Sequence, residues 1–450
     1  MKNLLLFSVF FGFIMCSNEV IPENEIPPAE EITRFDGPSL PRIKINTNGT
    51  AIVDEPKIRA SFEIIENEEV IEAYNIGIEI RGSSSQMFEK KSYGFETWDE
   101  NNEDINVPLA GFPKEEDWIL YGPYSDKTLI RNVLIYALSN QMGQYATRTK
   151  FYELEINSKF LGTYVLMEKI KRDKNRVAIS KNKPEDISGG YILKIDKPTG
   201  DGDWYNENIA FGSQYTPQGT LGQFKNVAFL YEYPDADDIN ETQKTYIQNY
   251  IHGFETALLA ESFADQENGY RQFIDLDSFI DFFILNELSK NPDGFRLSTY
   301  IHKDKGKKLK MGPIWDFNIA FGNVNYCNGD SPQGWAHHFN DLCSGDTWLV
   351  PFWWKRFLED PAFVQMLQNR WNTLRKSTLE TAAILRQIDQ YKDTLESRLA
   401  IQQNFAKWRV LGTYVWPNAF IGSNYSEEVN YLKQWIEQRI SWMDETINGL

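Results

Sequence analysis

The chain has 450 residues and a net charge of −18 at pH 7, with many aromatics: 13 Trp, 22 Tyr and 29 Phe. That length allows one large two-lobed domain or two ordinary ones, with ample core. The charge argues against a nucleic-acid partner, which needs a basic face, but it suits a basic protein substrate as well as plain solubility.

Met1-Lys2-Asn3 is a short basic start, Leu4 to Met15 is apolar, and Cys16 follows at once. The run is too short to span a bilayer and has the shape of an export signal. A Cys closing such a run is the pattern of a bacterial lipoprotein signal. Residues 1–16 are therefore expected to be a signal peptide, with Cys16 lipidated as the mature N-terminus. Phe13-Ile14-Met15 departs from the usual residues before that Cys, and the alternative is a cleaved signal with an incidental Cys. The expectation is an exported protein, lipid-anchored in the bacterial cell envelope, periplasmic or at the surface. Residues 17–41 are rich in Pro and Glu with few apolar residues and read as a disordered tether.

Residues 42–450 read as the folded part. Alternating runs at 60–65, 74–81 and 92–98 predict antiparallel strands, and 150–156 with 162–168 predicts a hairpin turning at Asn157-Ser158-Lys159. Between them, Asp126 is expected to cap a helix from Lys127 to Met142, stopped by Gly143. Short strands are expected at 190–196 and 227–233. From about residue 241 the pattern becomes helical. Asp277 is expected to cap an all-apolar helix over 278–288, and Ser426 to open a last amphipathic one. Strands first and helices later give an α+β fold, with a strand-rich lobe at about 42–235 and a helical lobe at about 236–450. Trp348, Trp353 and Trp354 suit either a core or a sugar-stacking surface.

One hairpin carries the chemistry. Asn291-Pro-Asp293 leads into the apolar run Thr299–Lys303, a turn at Gly306, a second run from Lys308, and then Trp315-Asp316-Phe317-Asn318. Antiparallel strands of similar length return the chain to its start, so Asp293 and Asp316 come together. Protein kinases pair two aspartates this way, one for the acceptor hydroxyl and one for Mg²⁺. The alternative is two ordinary turn aspartates. Arg81-Gly82-Ser83-Ser84-Ser85 joins two strands and could cover phosphates through backbone N–H groups, with Arg81 as a bidentate contact. Lys90 and Lys91 fall on opposite faces at the next strand's start, and one of them should point inward. Beyond Cys16, Cys327 and Cys343 share one Gly- and Asn-rich stretch. In an oxidising compartment a local disulfide is expected, contributing about 3 kcal/mol. A metal site on these Cys with His337 and His338 matches no zinc spacing.

Arg81-Gly-Ser-Ser-Ser, Lys90-Lys-Ser-Tyr, Asp126-Lys-Thr-Leu-Ile-Arg-Asn132, Asn291-Pro-Asp293 and Trp315-Asp-Phe317, in that order, resemble the spore-coat CotH kinase family. The resemblance implies a two-lobed, atypical protein-kinase-like fold and an ATP- and Mg²⁺-dependent transfer of phosphate to Ser or Thr of a protein, Mn²⁺ being the alternative metal. It implies Asp293 as catalytic residue, Asp316 as metal ligand with Asn318 beside it, and Ser83 and Ser84 over the phosphates. It favours Lys91 as the inward lysine. The predicted helix after Asp126 holds no Glu to pair that lysine, so Glu168 is the substitute. Ser298 stands where kinases place an Asn as second metal ligand, so it is a weaker candidate ligand.

Three functions compete. The first is an exported kinase acting on a protein, basic or Ser-rich, and expected to be a monomer without nucleic acid. The second is a catalytically weak or inactive kinase-fold surface lipoprotein serving as a binding or adhesion module. A metal-dependent hydrolase is the third, and Arg81 and Lys91 count against a glycosidase, which needs no phosphate clamp.

Overall fold

A computed structural model describes residues 37–198 and 206–450. The export signal, Cys16 and the tether up to residue 36 lie outside the described residues. The end of the expected tether is packed instead of free: Leu40 is buried, and the Pro41 carbonyl accepts from the Glu153 N–H at 3.0 Å. A single leucine beside a strand is enough to draw this stretch onto the fold.

Strands β1 (Arg42–Asn46), β2 (Ile58–Glu66), β3 (Glu69–Arg81) and β4 (Ser92–Trp98) run antiparallel in succession. A small pair, β5 (Val107–Leu109) and β6 (Phe112–Glu115), precedes β7 (Asp117–Tyr121). β8 (Thr149–Ile156) and β9 (Lys159–Glu168) form the expected hairpin, with Asn157 and Ser158 at φ 50° and 63°. Two left-handed residues match the twist of a two-residue hairpin loop. β7 pairs with β4 and β9, and β1 pairs parallel with β8, so the sheet closes into a barrel, β1-β2-β3-β4-β7-β9-β8. Alternation places Ala60, Phe62, Ile64, Ile76, Ile78 and Phe95 in one interior core. Closure leaves this sheet no edge.

Between β7 and β8 lies α1 (Arg131–Gln141), which starts four residues later than expected. Leu129 is left-handed at φ 62°, which a right-handed helix cannot contain. Asp126 still organises the start, accepting from the Thr128 and Arg131 N–H groups and from the Arg131 guanidinium.

β10 (Tyr191–Ile195), β11 (Ala210–Tyr215) and β12 (Leu221–Tyr233) pair with β13 (Thr299–Lys303) and β14 (Leu309–Met311) in the order β11-β12-β10-β13-β14. β10, β11 and β12, expected with the first lobe, therefore share a sheet with the hairpin and a core with the helices. These helices are α2 (Glu241–Leu259), α3 (Leu276–Ser289), the short α4 (Phe339–Leu342) and α5 (Trp353–Phe357), α6 (Pro361–Leu374), α7 (Thr381–Ser397), α8 (Ala400–Lys407) and α9 (Tyr425–Asn448). Asp275, not Asp277, caps α3, accepting from the Ser278 N–H at 3.0 Å; Asn424 caps α9. Trp353 and Trp354 are buried core. Among the described residues no helix is long and apolar enough to cross a membrane.

Candidate active site

α3 is followed by Lys290, whose left-handed backbone (φ 44°) turns the chain into residues 291–298. Its buried ammonium donates to the carbonyls of Asn328, Ser331 and Gln333 at 2.6–2.9 Å. Burial, followed by the charge of Arg439, lowers its pKa to about 8. The hairpin β13–β14 then returns the chain to Asp316. Asn291 bridges the two loops: its Oδ1 accepts from the Asp293 N–H and its Nδ2 donates to the Asp316 carbonyl, both at 3.2 Å. α1 holds the second loop from the other side. The Asp316 N–H donates to Tyr136 Oη at 3.0 Å and the Phe317 N–H to Asn132 Oδ1 at 2.7 Å. Asp316 itself is left-handed at φ 62°, a conformation that these bonds maintain.

Both aspartates line a cavity of about 560 Å³ between the barrel and the second sheet, within the usual 300–1,000 Å³ range of small-molecule sites. Arg81, Ser83 and Ser84 border it from the end of β3, Lys194 from β10, Asp196 from just past that strand, and Ser298, Asn318, Trp348 and Trp416 from loops. A cavity of about 600 Å³ near Phe211 and His252 has no such convergence of charges.

Burial, and next the negative charge of Asp293, pushes the Asp316 carboxyl up to about 6; Arg81 works against this and Asp196 with it. Burial also raises Asp293, while Arg296 opposes the shift. Arg296 holds Asp293 Oδ1 at 2.9 Å, Asp346 Oδ1 at 3.2 Å and the Trp348 carbonyl at 3.0 Å. Crowded carboxylates facing one cavity fit a divalent cation, which neutralises the charge that raises Asp316.

The structure thus brings Asp293, Asp316, Asn318, Ser298, Arg81, Ser83 and Ser84 to one cleft. The serine loop is a single 3-10 turn, Ser84–Met87, not an extended glycine-rich flap. Lys91 and Glu168 do not line the cleft. The Lys91 ammonium donates to the Gln86 carbonyl. Lys90 points into the body, donating to the Thr163 carbonyl at 2.7 Å and to Asn404 Oδ1 of α8 at 2.8 Å. Glu168 is fully engaged by Arg148, with Arg176 nearby and Tyr145 donating to it. Ser92 and Met167 line the cleft, so alternation sends their sequence neighbours Lys91 and Glu168 to the opposite side. Cys327 and Cys343 are joined, and His337 Nδ1 donates to Glu287 Oε1 at 2.7 Å.

Sequence reading passed over Lys194, Asp196, Arg296 and Asp346. Two charges in the otherwise apolar run Tyr191-Ile-Leu-Lys-Ile-Asp196 were the available signal. The family model described as CotH kinase protein matches residues 78–443, which span the whole cleft. No curated protein matches the chain.

Proposed function

The chain belongs to the CotH kinase family, and from that premise we propose that it transfers the γ-phosphate of ATP to a Ser or Thr hydroxyl of a protein. The observation that carries the reading is the pair Asp293 and Asp316, set on one cleft and tied together by Asn291. Arg296 occupies Oδ1 of Asp293. Oδ2 then accepts the acceptor hydroxyl's proton as the new O–P bond forms and the bond to ADP breaks. Arg81 balances charge on the phosphates. Mg²⁺ or Mn²⁺, held by Asp316 with Asn318 beside it, would supply neutralisation of phosphate charge. The strongly negative chain favours a basic acceptor. We further propose export and anchoring in a bacterial envelope membrane through lipid on Cys16, with the protein acting as a monomer.

A second reading, a kinase fold kept as a binding module, draws on Ser298, which lines the cleft where an amide ligand is usual. Transfer of labelled phosphate from ATP to basic and Ser-rich acceptors decides between them. Wild type should label the acceptor, and Asp293→Asn should reduce the rate by about 10²-fold or more with nucleotide binding unchanged. No labelling by wild type with either metal supports the binding module, and full activity in Asp293→Asn removes Asp293 from the chemistry.

A further inference from the structure

Lys194 lies in β10 and Asp196 just past its end, and both border the cleft. Their neighbours Tyr191, Ile192, Leu193 and Ile195 are buried and apolar. Two charges in such a strand lose hydration that their own ion pair, at 2.8 Å, only partly restores. Tyr300 and Glu232 also face the ammonium. The antiparallel register pairs Ile195 with Thr299. Asp196 and Ser298 are the residues just beyond this last pair on each strand, and both line the cleft.

Ser298 is five residues after Asp293, the corner where kinases place an amide oxygen for a second divalent cation. Its hydroxyl is neutral and a weak ligand, whereas a carboxylate is the oxygen that Mg²⁺ favours. The expected lysine, Lys91, is turned away onto Gln86. We propose that Asp196 supplies the second cation ligand that Ser298 does not, and that Lys194 is the ammonium that contacts the nucleotide phosphates in place of Lys91. This assignment rests on the nucleotide-binding reading above. It makes the second sheet, not the barrel, the source of the cleft's cation–anion pair.

The test is binding, not turnover. ATP and adenosine are titrated calorimetrically into the purified exported protein. Mn²⁺ is counted by the loss of its free electron-spin resonance signal in the presence of a non-hydrolysable ATP analogue. Lys194→Met should weaken ATP about tenfold or more and leave adenosine within about twofold. Lys91→Met should leave ATP within about twofold. Asp196→Ala should bind one fewer Mn²⁺ per chain. Unchanged ATP affinity in Lys194→Met, or its loss in Lys91→Met, overturns the lysine assignment. Unchanged Mn²⁺ binding in Asp196→Ala overturns the carboxylate. Near-ultraviolet circular dichroism checks the fold, and Lys194→Gln carries the same expectation and the same refutation if Lys194→Met is misfolded. Wild type that binds no ATP removes the nucleotide reading and this one together, whereas variants that bind like wild type remove only this one.

Discussion

Asp316 carries two burdens at once, a left-handed backbone and a carboxylate crowded by Asp293 and Asp196. Its carboxyl titrates near pH 6 in the folded chain, above the ordinary aspartate value of about 4. The folded state therefore binds that proton more tightly than the unfolded one. This favours folding below about pH 4 and is lost as pH rises through about 6. At pH 7.5 the ionised group is a net cost in protein without bound cation. Asn accepts the left-handed conformation and carries no charge. Asp316→Asn should thus stabilise the cation-free protein at pH 7.5 by ~1–3 kcal/mol, while abolishing Mg²⁺-dependent ATP binding. Urea unfolding at pH 7.5 and pH 4.5 measures the first effect, which should shrink at the lower pH. Equal stability of the two proteins at pH 7.5 would show that Asp316 is not strained by charge. In wild type, cation affinity should fall as pH drops below 6.

At the scale of elements, the motif Asp126–Asn132 is more than a helix start. α1 delivers Asn132 to the Phe317 N–H and Tyr136 to the Asp316 N–H, so this one helix fixes the loop that carries Asp316. Arg131 adds a bond to the Ala320 carbonyl at 3.1 Å. Asn132→Ala leaves a buried N–H without its acceptor, which costs about 1–3 kcal/mol. Denaturant unfolding should show that loss, and Mg²⁺-dependent ATP affinity should fall with it; intact affinity would show that the loop holds its shape without Asn132. The loop closed by Cys327 and Cys343 works similarly on the other side. Its carbonyls hold Lys290 at the end of α3 and, through Pro332 and Gly334, Arg439 of α9. Cys327→Ser with Cys343→Ser should cost about 3 kcal/mol by the loop-entropy argument. Two free thiols in the protein from its native compartment would show the bridge does not form there.

For the whole molecule, the cleft exists because the barrel and the second sheet with its helices are held against each other. Lys90 and Asn404 tie β4's approach and α8 to β9, and Tyr425 of α9 donates to the Thr128 carbonyl at 3.1 Å. A ligand seated between the two parts stabilises the folded state as a unit. ATP with Mg²⁺ at 100 times its dissociation constant should contribute about 2.7 kcal/mol. The melting temperature should rise accordingly in wild type and stay unchanged in Asp316→Asn. A rise of the same size in both would place the nucleotide elsewhere.

Local pattern was enough for much of this protein. Alternation marked β2, β3, β4 and the β8–β9 hairpin, and the hairpin around Gly306 was sufficient to bring Asp293 and Asp316 to one place, because two antiparallel strands fix where the chain returns. The two cysteines in one short stretch likewise pointed to their bridge. Other features depend on partners distant in sequence. β7 is a short buried run whose identity comes from pairing with β4 and β9, and barrel closure depends on β1 meeting β8 more than 100 residues away. With Ser92 and Met167 lining the cleft, Lys91 and Glu168 face away from it. Pairing of β10 with β13 brought Lys194 and Asp196 into it. Alternation along a strand says which residues share a face; only the neighbouring strand decides what that face looks upon.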